Sequence, residues 1–342
     1  MNASPTPRPR RAATQDDVAR EVGVSRTLVS FAFRGVPGVG DDTKRAIFEA
    51  AERLGYRHNV VAADLASKRP STIGLYLLDF RNEVYAEIFR GVRDALNPAR
   101  NRLILAVSDA DEPADDNAVD SLVDARVGVI IAATLFLPDD RVRALSRTVP
   151  VVNVARQIDG MDSVYADNVA GARIATQHLL DFGHRRIAHL TGPEYEGHLQ
   201  RRQAYAEVMR AAGLTPQVVI APGYSQDAAE RAARAMLDVA DRPTAVFAHN
   251  DQIALGAREA AHALGLRVPD DLSLVGYDNS RITRLHGIDL TSIDQDARGL
   301  GREAGVAALV RLRDPDAPPA DRNRQPSLVV RGSTAPCADN RG

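Results

Sequence analysis

Two sets of residues in the chain have the types and spacing to do recognition chemistry. The first lies between Thr14 and Arg34, where Arg26, Thr27, Ser30 and Phe31 share one side of a short helical pattern. An Arg can donate two hydrogen bonds to guanine O6 and N7, and a Thr can meet a base edge or a thymine methyl. Thr14, Ser25 and Arg34, at the ends of the two helical runs, join this set as candidate DNA contacts. The second set is Asp79, Asn82, Tyr85, Arg202, Asn250, Gln252 and Asp278, each expected at or near the end of a strand. Carboxylates accept from hydroxyls and Arg donates a planar fork, so this mixture suits a polyhydroxylated ligand. It also suits a nucleoside or a small acid. Each set has a plainer reading. The helical pair can belong to a larger bundle, Asn250 and Asp278 can simply cap helices or turns, and Arg202 can form a surface ion pair.

The first set needs two helices joined by a tight turn. Thr14 followed by Asp17 three residues on is a capping-box pattern. Val18, Ala19 and Val22 make one apolar face. Gly23 permits a sharp turn, and Ser25 caps the second helix, whose Val29 and Ala32, with Val24, face back to the first. This is a helix-turn-helix pattern, which places the N-terminal residues of its second helix at base edges. After a loop with Pro37 and Gly38, a third helix spans about 41–54, with Gly40 at its start, Gly55 at its end and Ile47, Ala51 and Leu54 inward.

Residues 1–12 read as a disordered arm whose Arg8, Arg10 and Arg11 can touch phosphate, and 13–58 as the helical head. In 59–70, Val61, Ala62, Leu65 and Ala66 stand at helical spacing, but an isolated helix this short is marginal in water. The segment is either a plain linker or a helix that forms on binding. From Thr72 apolar strand-like runs alternate with amphipathic helices. The runs are 72–79, 102–107, 127–133, 149–154, 186–191, 217–220, 245–248, 272–277 and, last, 327–331, with a Pro- and Asp-rich loop at 314–323. Helices are expected at 85–96, 169–182, 199–212, 228–239 and 252–264. This is an α/β pattern of parallel sheets covered on both faces, long enough for two subdomains over 71–337, with a tail at 338–342. Ligands in such folds sit outside the carboxyl ends of the strands, which is where the second set falls.

The 342 residues carry a formal charge of −2, but the charge is unevenly placed. Through Arg69 there are 12 Lys and Arg against 8 Asp and Glu, so a basic head precedes an acidic body. The single cysteine, Cys337, excludes an internal disulfide and a Cys-based zinc site. The N-terminus lacks the apolar stretch of a secretory signal, and no apolar run reaches membrane-spanning length, so a cytoplasmic protein is expected. No cofactor is expected. The chain has no Trp, so ring stacking on a ligand falls to Phe80, Tyr85, Tyr195 or similar residues.

These segments resemble the lactose-repressor (LacI/GalR-type) family of bacterial transcription regulators. The likeness runs from Thr14 to about Thr334 and rests on DVAREVGVSRTLVS, on the N-x-x-A-x-x-L-A pattern at Asn59, Ala62, Leu65 and Ala66, and on IGL at Ile73. It continues with DN at Asp167, GHRRIAHLTGP at Gly183, HNDQIALGA at His249 and LSLVGYDN at Leu272. The resemblance implies a helix-turn-helix head, a hinge helix, and a core similar to periplasmic sugar-binding proteins. It further implies a homodimer on pseudo-palindromic operator DNA and a small-molecule, sugar-like effector in the interdomain cleft. By position it makes Arg26, Thr27 and Phe31 base readers and Leu65 a minor-groove wedge. Four positions depart from the family pattern. Leu28 stands for the usual Thr, Phe31 for a frequent Arg, His58 for Pro before Asn59, and Ala155 for the Asp common in sugar-responsive members.

Two other readings are open. Gly299-Leu-Gly301-Arg-Glu-Ala304 fits a dinucleotide-binding spacing, but lacks the following strand and acidic residue, so its glycines read as close helix packing. No nucleophile elbow or P-loop is present, and His184, His189 and His198 lack metal spacing. A solute receptor without a DNA role would use the same core, and the head argues against it.

Overall fold

A computed structural model describes residues 13–34, 36–56, 71–99, 101–109, 115–193 and 196–338. The basic arm, the hinge positions Asn59, Ala62, Leu65 and Ala66, Tyr195 and the last four residues lie outside the described residues. So do the side chains of Arg34 and His198. The chain divides into two compact units, 1–68 and 69–342.

The first unit contains helices α1 (Gln15–Val22), α2 (Arg26–Arg34) and α3 (Asp41–Leu54). Thr14 and Asp17 close the expected capping box, and Gly23 ends α1 in the left-handed region at φ 73°. Ser25 caps α2 by accepting from the Leu28 amide at 3.2 Å. Val18, Ala19, Val29, Ala32, Ile47, Ala50 and Ala51 form its core. Leu54 was expected inside but is 38% exposed. It stands one residue before the left-handed Gly55, and Tyr56 beyond the turn packs on the core instead.

The second unit runs β1 (Ile73–Leu77), α4 (Glu83–Leu96), β2 (Leu103–Val107), α5 (Asp115–Asp124), β3 (Val129–Ala133), α6 (Asp139–Ser146), β4 (Val151–Val154) and β5 (Asp162–Ala166). It continues with α7 (Asn168–Asp181), β6 (Ile187–Thr191), α8 (Glu196–Ala211), β7 (Gln217–Ile220), α9 (Gln226–Leu237), β8 (Ala245–Ala248), α10 (Asp251–Ala263) and β9 (Ser273–Tyr277). The last elements are β10 (Thr291–Asp294), α11 (Ala297–Arg313), β11 (Asp321–Arg324) and β12 (Ser327–Val329). Among the described residues they make two six-stranded sheets, β11-β5-β4-β3-β1-β2 and β12-β10-β9-β8-β6-β7. The first is parallel throughout. In the second only β12 runs antiparallel, against β10. β1, β3, β6 and β9 are buried along their whole length, as strands covered on both faces must be.

The chain crosses between the two subdomains three times, after β5, after β10 and after β11. Arg324 knits the crossings together. Its carbonyl accepts from the Asp167 amide at 2.9 Å, and its guanidinium donates to Asp296 and Glu303. On the first subdomain α11 lies against α4 at very short range. A Cβ on Gly301 would run into the Ile88 carbonyl, and one on Gly91 into the Arg298 carbonyl. The Gly299–Ala304 segment is therefore interior to a helix and serves close packing, not a phosphate-binding turn.

Five elements were not anticipated. α5 and α6 fall between expected strands, in stretches not named among the helices. β5 (DSVYA) and β10 (TSID) are buried strands with polar residues, whose apolar run is too short to register. β11 (DRNR) overlaps the end of the expected loop at 314–323, where a fully polar edge strand pairs in parallel with β5.

Candidate functional site

In the head, Ser25, Arg26 and Thr27 are exposed at the start of α2, while Ser30 and Phe31 are half-buried one turn on. Arg26 approaches Asp16 at 4.0 Å, with both side chains mostly in solvent. The N-terminal end of α2 thus presents a hydroxyl and a guanidinium outward, above an apolar core that fixes the helix.

In the second unit a cavity of about 280 Å³ opens between the carboxyl edges of the two sheets. Its walls come from residues that follow strands: Asp79 after β1, Thr134 to Leu137 after β3, Ala155 and Arg156 after β4, His249 and Asn250 after β8, and Asp278 after β9. Thr134 (φ 58°), Ala155 (φ 62°) and Asp278 (φ 110°) hold left-handed backbone there. Such conformations cost roughly 1–3 kcal/mol each and persist where the surroundings fix them.

The expected residues Asp79, Asn82, Tyr85, Asn250, Gln252 and Asp278 all line this cavity. Asn82 also caps α4 through the Val84 amide at 3.1 Å, and Asn250 caps α10 through the Ile253 amide at 2.8 Å. For these two the capping role and the wall position coincide. Asp278 does not cap a helix. It accepts from the Asn82 side chain at 3.4 Å and from Gln295. Asp79 is held by Arg81, whose Nε lies 3.1 Å from both carboxylate oxygens, and Arg81 also reaches Asp109.

Arg202 requires a correction. The guanidinium that α8 brings to the cavity wall belongs to Arg201. Successive helical residues are rotated by about 100°, so the neighbour points elsewhere. Arg201 shares the buried stripe of α8 with Ala204, Tyr205 and Met209, a spacing visible in the sequence. Its Nε donates to Asn168 at 2.8 Å and its NH1 to the His249 carbonyl at 2.7 Å. The guanidinium also stacks over the Tyr277 ring at 3.5 Å. Phe80 is likewise displaced from its expected role, being 61% exposed and absent from the lining. The rings on the wall are Tyr85, Phe136 and Tyr224. Asn168, Thr134, His249 and Gln295 are further wall residues that the sequence reading did not select.

Burial dominates the titration of this region. It raises Asp278, against the pull of Arg201 and the bonds from Asn82 and Gln295. It raises the neighbouring Asp251 too, with repulsion from Asp278 adding to it. Asp251 answers with three donors, the Ser280 amide and hydroxyl at 2.8 Å and the Ser292 hydroxyl at 2.6 Å. The Tyr85 hydroxyl is pushed up by burial and held neutral. Arg156 is anchored to the wall, donating to the Leu135 and Leu137 carbonyls at 2.8 and 2.6 Å and to Asp139.

Comparison with known proteins agrees with both units. Residues 14–59 match the bacterial regulatory proteins of the lacI family, and residues 176–334 match a periplasmic binding protein-like domain. Catabolite control protein A of Priestia megaterium is 33% identical over 295 residues, 84% of this chain and 89% of that protein. A lac repressor dimer, solved bound to operator and the anti-inducer ONPF, is similar with a TM-score of 0.83 and 26% identity, over 95% of this chain and 100% of that one. A complex of the transcriptional regulator CelR with cellobiose is similar with a TM-score of 0.68 and 29% identity, over 94% and 99% of the two chains.

Proposed function

Because the chain belongs to the lacI family of bacterial regulatory proteins and is a DNA-binding transcriptional regulator, we propose how its two units divide the work. The head reads a pseudo-palindromic operator through Ser25, Arg26, Thr27, Ser30 and Phe31, supported by Thr14 and Arg34. The segment 59–70 is the hinge, with Asn59, Ala62, Leu65 and Ala66 on the DNA and Leu65 as its wedge. The body holds a small polyhydroxylated effector in the cavity and pairs two copies into a homodimer, the state in which the similar lac repressor was solved on operator. The protein acts in the cytoplasm, as a repressor. No helix among the described residues is long and apolar enough to cross a membrane.

One observation carries this reading: two parallel sheets aim their carboxyl edges at one cavity whose opposite walls belong to different subdomains. A ligand touching both walls favours one closure state over the other, which is the differential affinity any switch requires. The similar CelR was solved with cellobiose. The test is selection of an operator from random duplex DNA with the full chain, followed by operator titration across a small-molecule panel. A chain that selects no sequence, or whose selected complex responds to no polyol, does not work this way.

A further inference from the structure

Behind the cavity wall lies a second buried carboxylate, Asp251, the first residue of α10. It is 2% exposed, and Asp278 on the wall is 7% exposed. Asp251 grips the turn that presents Asp278. One of its oxygens accepts from the Ser280 amide and hydroxyl, the other from the Ser292 hydroxyl. The Ser292 oxygen in turn accepts from the Asn279 amide at 3.0 Å. Asp278 and Asn279 both hold left-handed backbone, at φ 110° and 48°, so this anchorage keeps a strained turn in place. The β9 backbone seals the back of the site, where a Cβ on Gly276 would run into an Asp251 oxygen.

Among the described residues, every donor bonded to the two carboxylates is neutral: Ser280 and Ser292 on Asp251, Asn82 and Gln295 on Asp278. The charged groups around them divide. Arg201 from α8 favours an ionised Asp278, and Asp294 from β10 repels it. Arg331 attracts Asp251, but its guanidinium is bonded to Asn279 and to the Leu290 carbonyl. The start of α10 also favours an anion at Asp251. His249 is turned to Arg201 at 3.3 Å, and Glu83 accepts from the Ile282 amide. Tyr85 and Tyr277 are pushed up by burial and stay neutral. Burial outweighs the attractions at both carboxylates, and repulsion from Asp278 adds to it at Asp251. Such a pair titrates as a unit.

We propose that closing the cleft takes up one proton, held between Asp251 and Asp278, so that mild acid favours the closed body and alkali the open one. Asp278 faces the cleft and is bonded to Asn82 across it. Parting the subdomains breaks that bond and hydrates the carboxylate, so the open body holds the proton less tightly. A proton held more tightly by one state favours that state. Within the titration range each pH unit shifts the closed-to-open ratio by up to about tenfold. Only the freedom of the two subdomains to part is needed, whatever the cavity binds, so the test uses the ligand-free full chain.

Two readouts are taken at about pH 5.5 and 8.5, below and above the titration of the pair. Infrared difference spectra should show a protonated carboxyl at the lower pH that is lost at the higher. Small-angle scattering should give the larger radius of gyration at the higher pH. Asp251→Asn keeps an oxygen for Ser280 and removes the repelling charge, so the proton affinity of Asp278 should fall on the order of tenfold. The infrared signal and the pH response of the radius should fall with it. Asp278→Asn leaves the grip on Ser280 intact and should also remove both. Histidines that titrate in this range are present in all three proteins, so the difference belongs to the pair. A parent with no carboxyl titrating in this range overturns the proposal. So does a radius that is unchanged or smaller at the higher pH, a result that leaves operator selection by the head untouched. A signal and a response that persist in both variants assign the proton to other carboxyls and overturn it as well.

Discussion

Asn82 and Asp278 are 196 residues apart and meet across the cleft, the amide donating to the carboxylate at 3.4 Å. A second bond joins the same rims, from the Ile282 amide to Glu83 at 3.2 Å. The two subdomains are therefore linked near the cavity by the protein's own groups, and Asn82 and Asp278 themselves line it. Asn82 must also cap α4, so the informative variants keep the cap. Asn82→Ser retains it and loses reach. Asn82→Asp retains it and sets one carboxylate against another. With a long bond worth about 1 kcal/mol, the effector-free closed form should lose about fivefold in population in the Ser variant, and more in the Asp variant. Small-angle scattering should then rank the radius of gyration as Asp above Ser above parent. Superimposable curves would mean that the pair does not hold the cleft.

Arg201, not Arg202, should carry the effector response. Replacing Arg201 by Ala strips donors from Asn168 and the His249 carbonyl and uncovers Tyr277. That should cost roughly 1–3 kcal/mol of stability and at least tenfold in effector affinity. Arg201→Lys keeps the charge but not the fork, and should recover only part of the binding. Arg202→Ala should leave effector affinity within a factor of two. Reversed outcomes for the two positions would restore the assignment made from the sequence.

That reversal shows where the sequence is legible and where it stops. Runs such as IGLYL and IAHLT mark sheet interiors because both of their faces are covered, and the cavity follows from where those strands end. Asp79, Asn82, Tyr85, Asn250, Gln252 and Asp278 were accessible by that rule alone. Arg201 was not, because two adjacent arginines differ only in helical phase, and the stripe through Ala204, Tyr205 and Met209 must be weighed to separate them. Phe136 and Tyr224 were hidden for another reason. They sit in loops after β3 and β7, where periodicity carries no signal, and they are neighbours only through the tertiary fold. β11 has no apolar residue at all, so its place at the sheet edge depends on its partner β5.

His189 should make the body acid-sensitive. It is fully buried, stacked on Phe247 with centroids 4.7 Å apart, and its Nδ1 lies 2.9 Å from the Phe247 carbonyl. Burial is the main cause that lowers its pKa from 6.5 to about 4, against the raising effect of that carbonyl. A folded-state value below the unfolded one means that the unfolded chain takes up the proton first. The contribution is complete above about pH 6.5 and is lost as the pH falls toward 4, on the order of 3 kcal/mol in total. His189→Asn keeps a donor for the carbonyl and cannot titrate. Denaturant midpoints between pH 7 and 4 should fall less steeply in the variant than in the parent. Parallel slopes would assign the acid sensitivity to other groups.

Gly301 should tolerate no side chain. Its Cβ would occupy the position of the Ile88 carbonyl on α4, a backbone atom that cannot turn aside. Gly301→Ala gains helix propensity of about 1 kcal/mol, yet should destabilise the body by roughly 1–3 kcal/mol as α11 is pushed from α4. Thermal unfolding reads the sign directly. A variant more stable than the parent would show that the helices can separate without cost.

Arg26 should read a base, and the experiment must separate that role from phosphate binding. Its guanidinium stands exposed at the first turn of α2, and the Asp16 carboxylate at 4.0 Å is a solvent-exposed partner that it can leave. Ser25 fixes the start of the helix through the Leu28 amide, so the direction of the side chain is set before DNA arrives. A bidentate contact to guanine contributes about 1–3 kcal/mol of discrimination. Arg26→Ala should therefore weaken the selected operator by that amount, relax preference at one base pair in each half-site, and leave random-duplex affinity nearly unchanged. Arg26→Lys should lie between, because a point charge cannot supply the fork. The salt dependence of operator binding should keep its slope in all three proteins, since no phosphate contact is lost. Equal weakening on operator and random DNA, with a shallower salt slope, would reassign Arg26 to the backbone and move base reading to Thr27 and its neighbours.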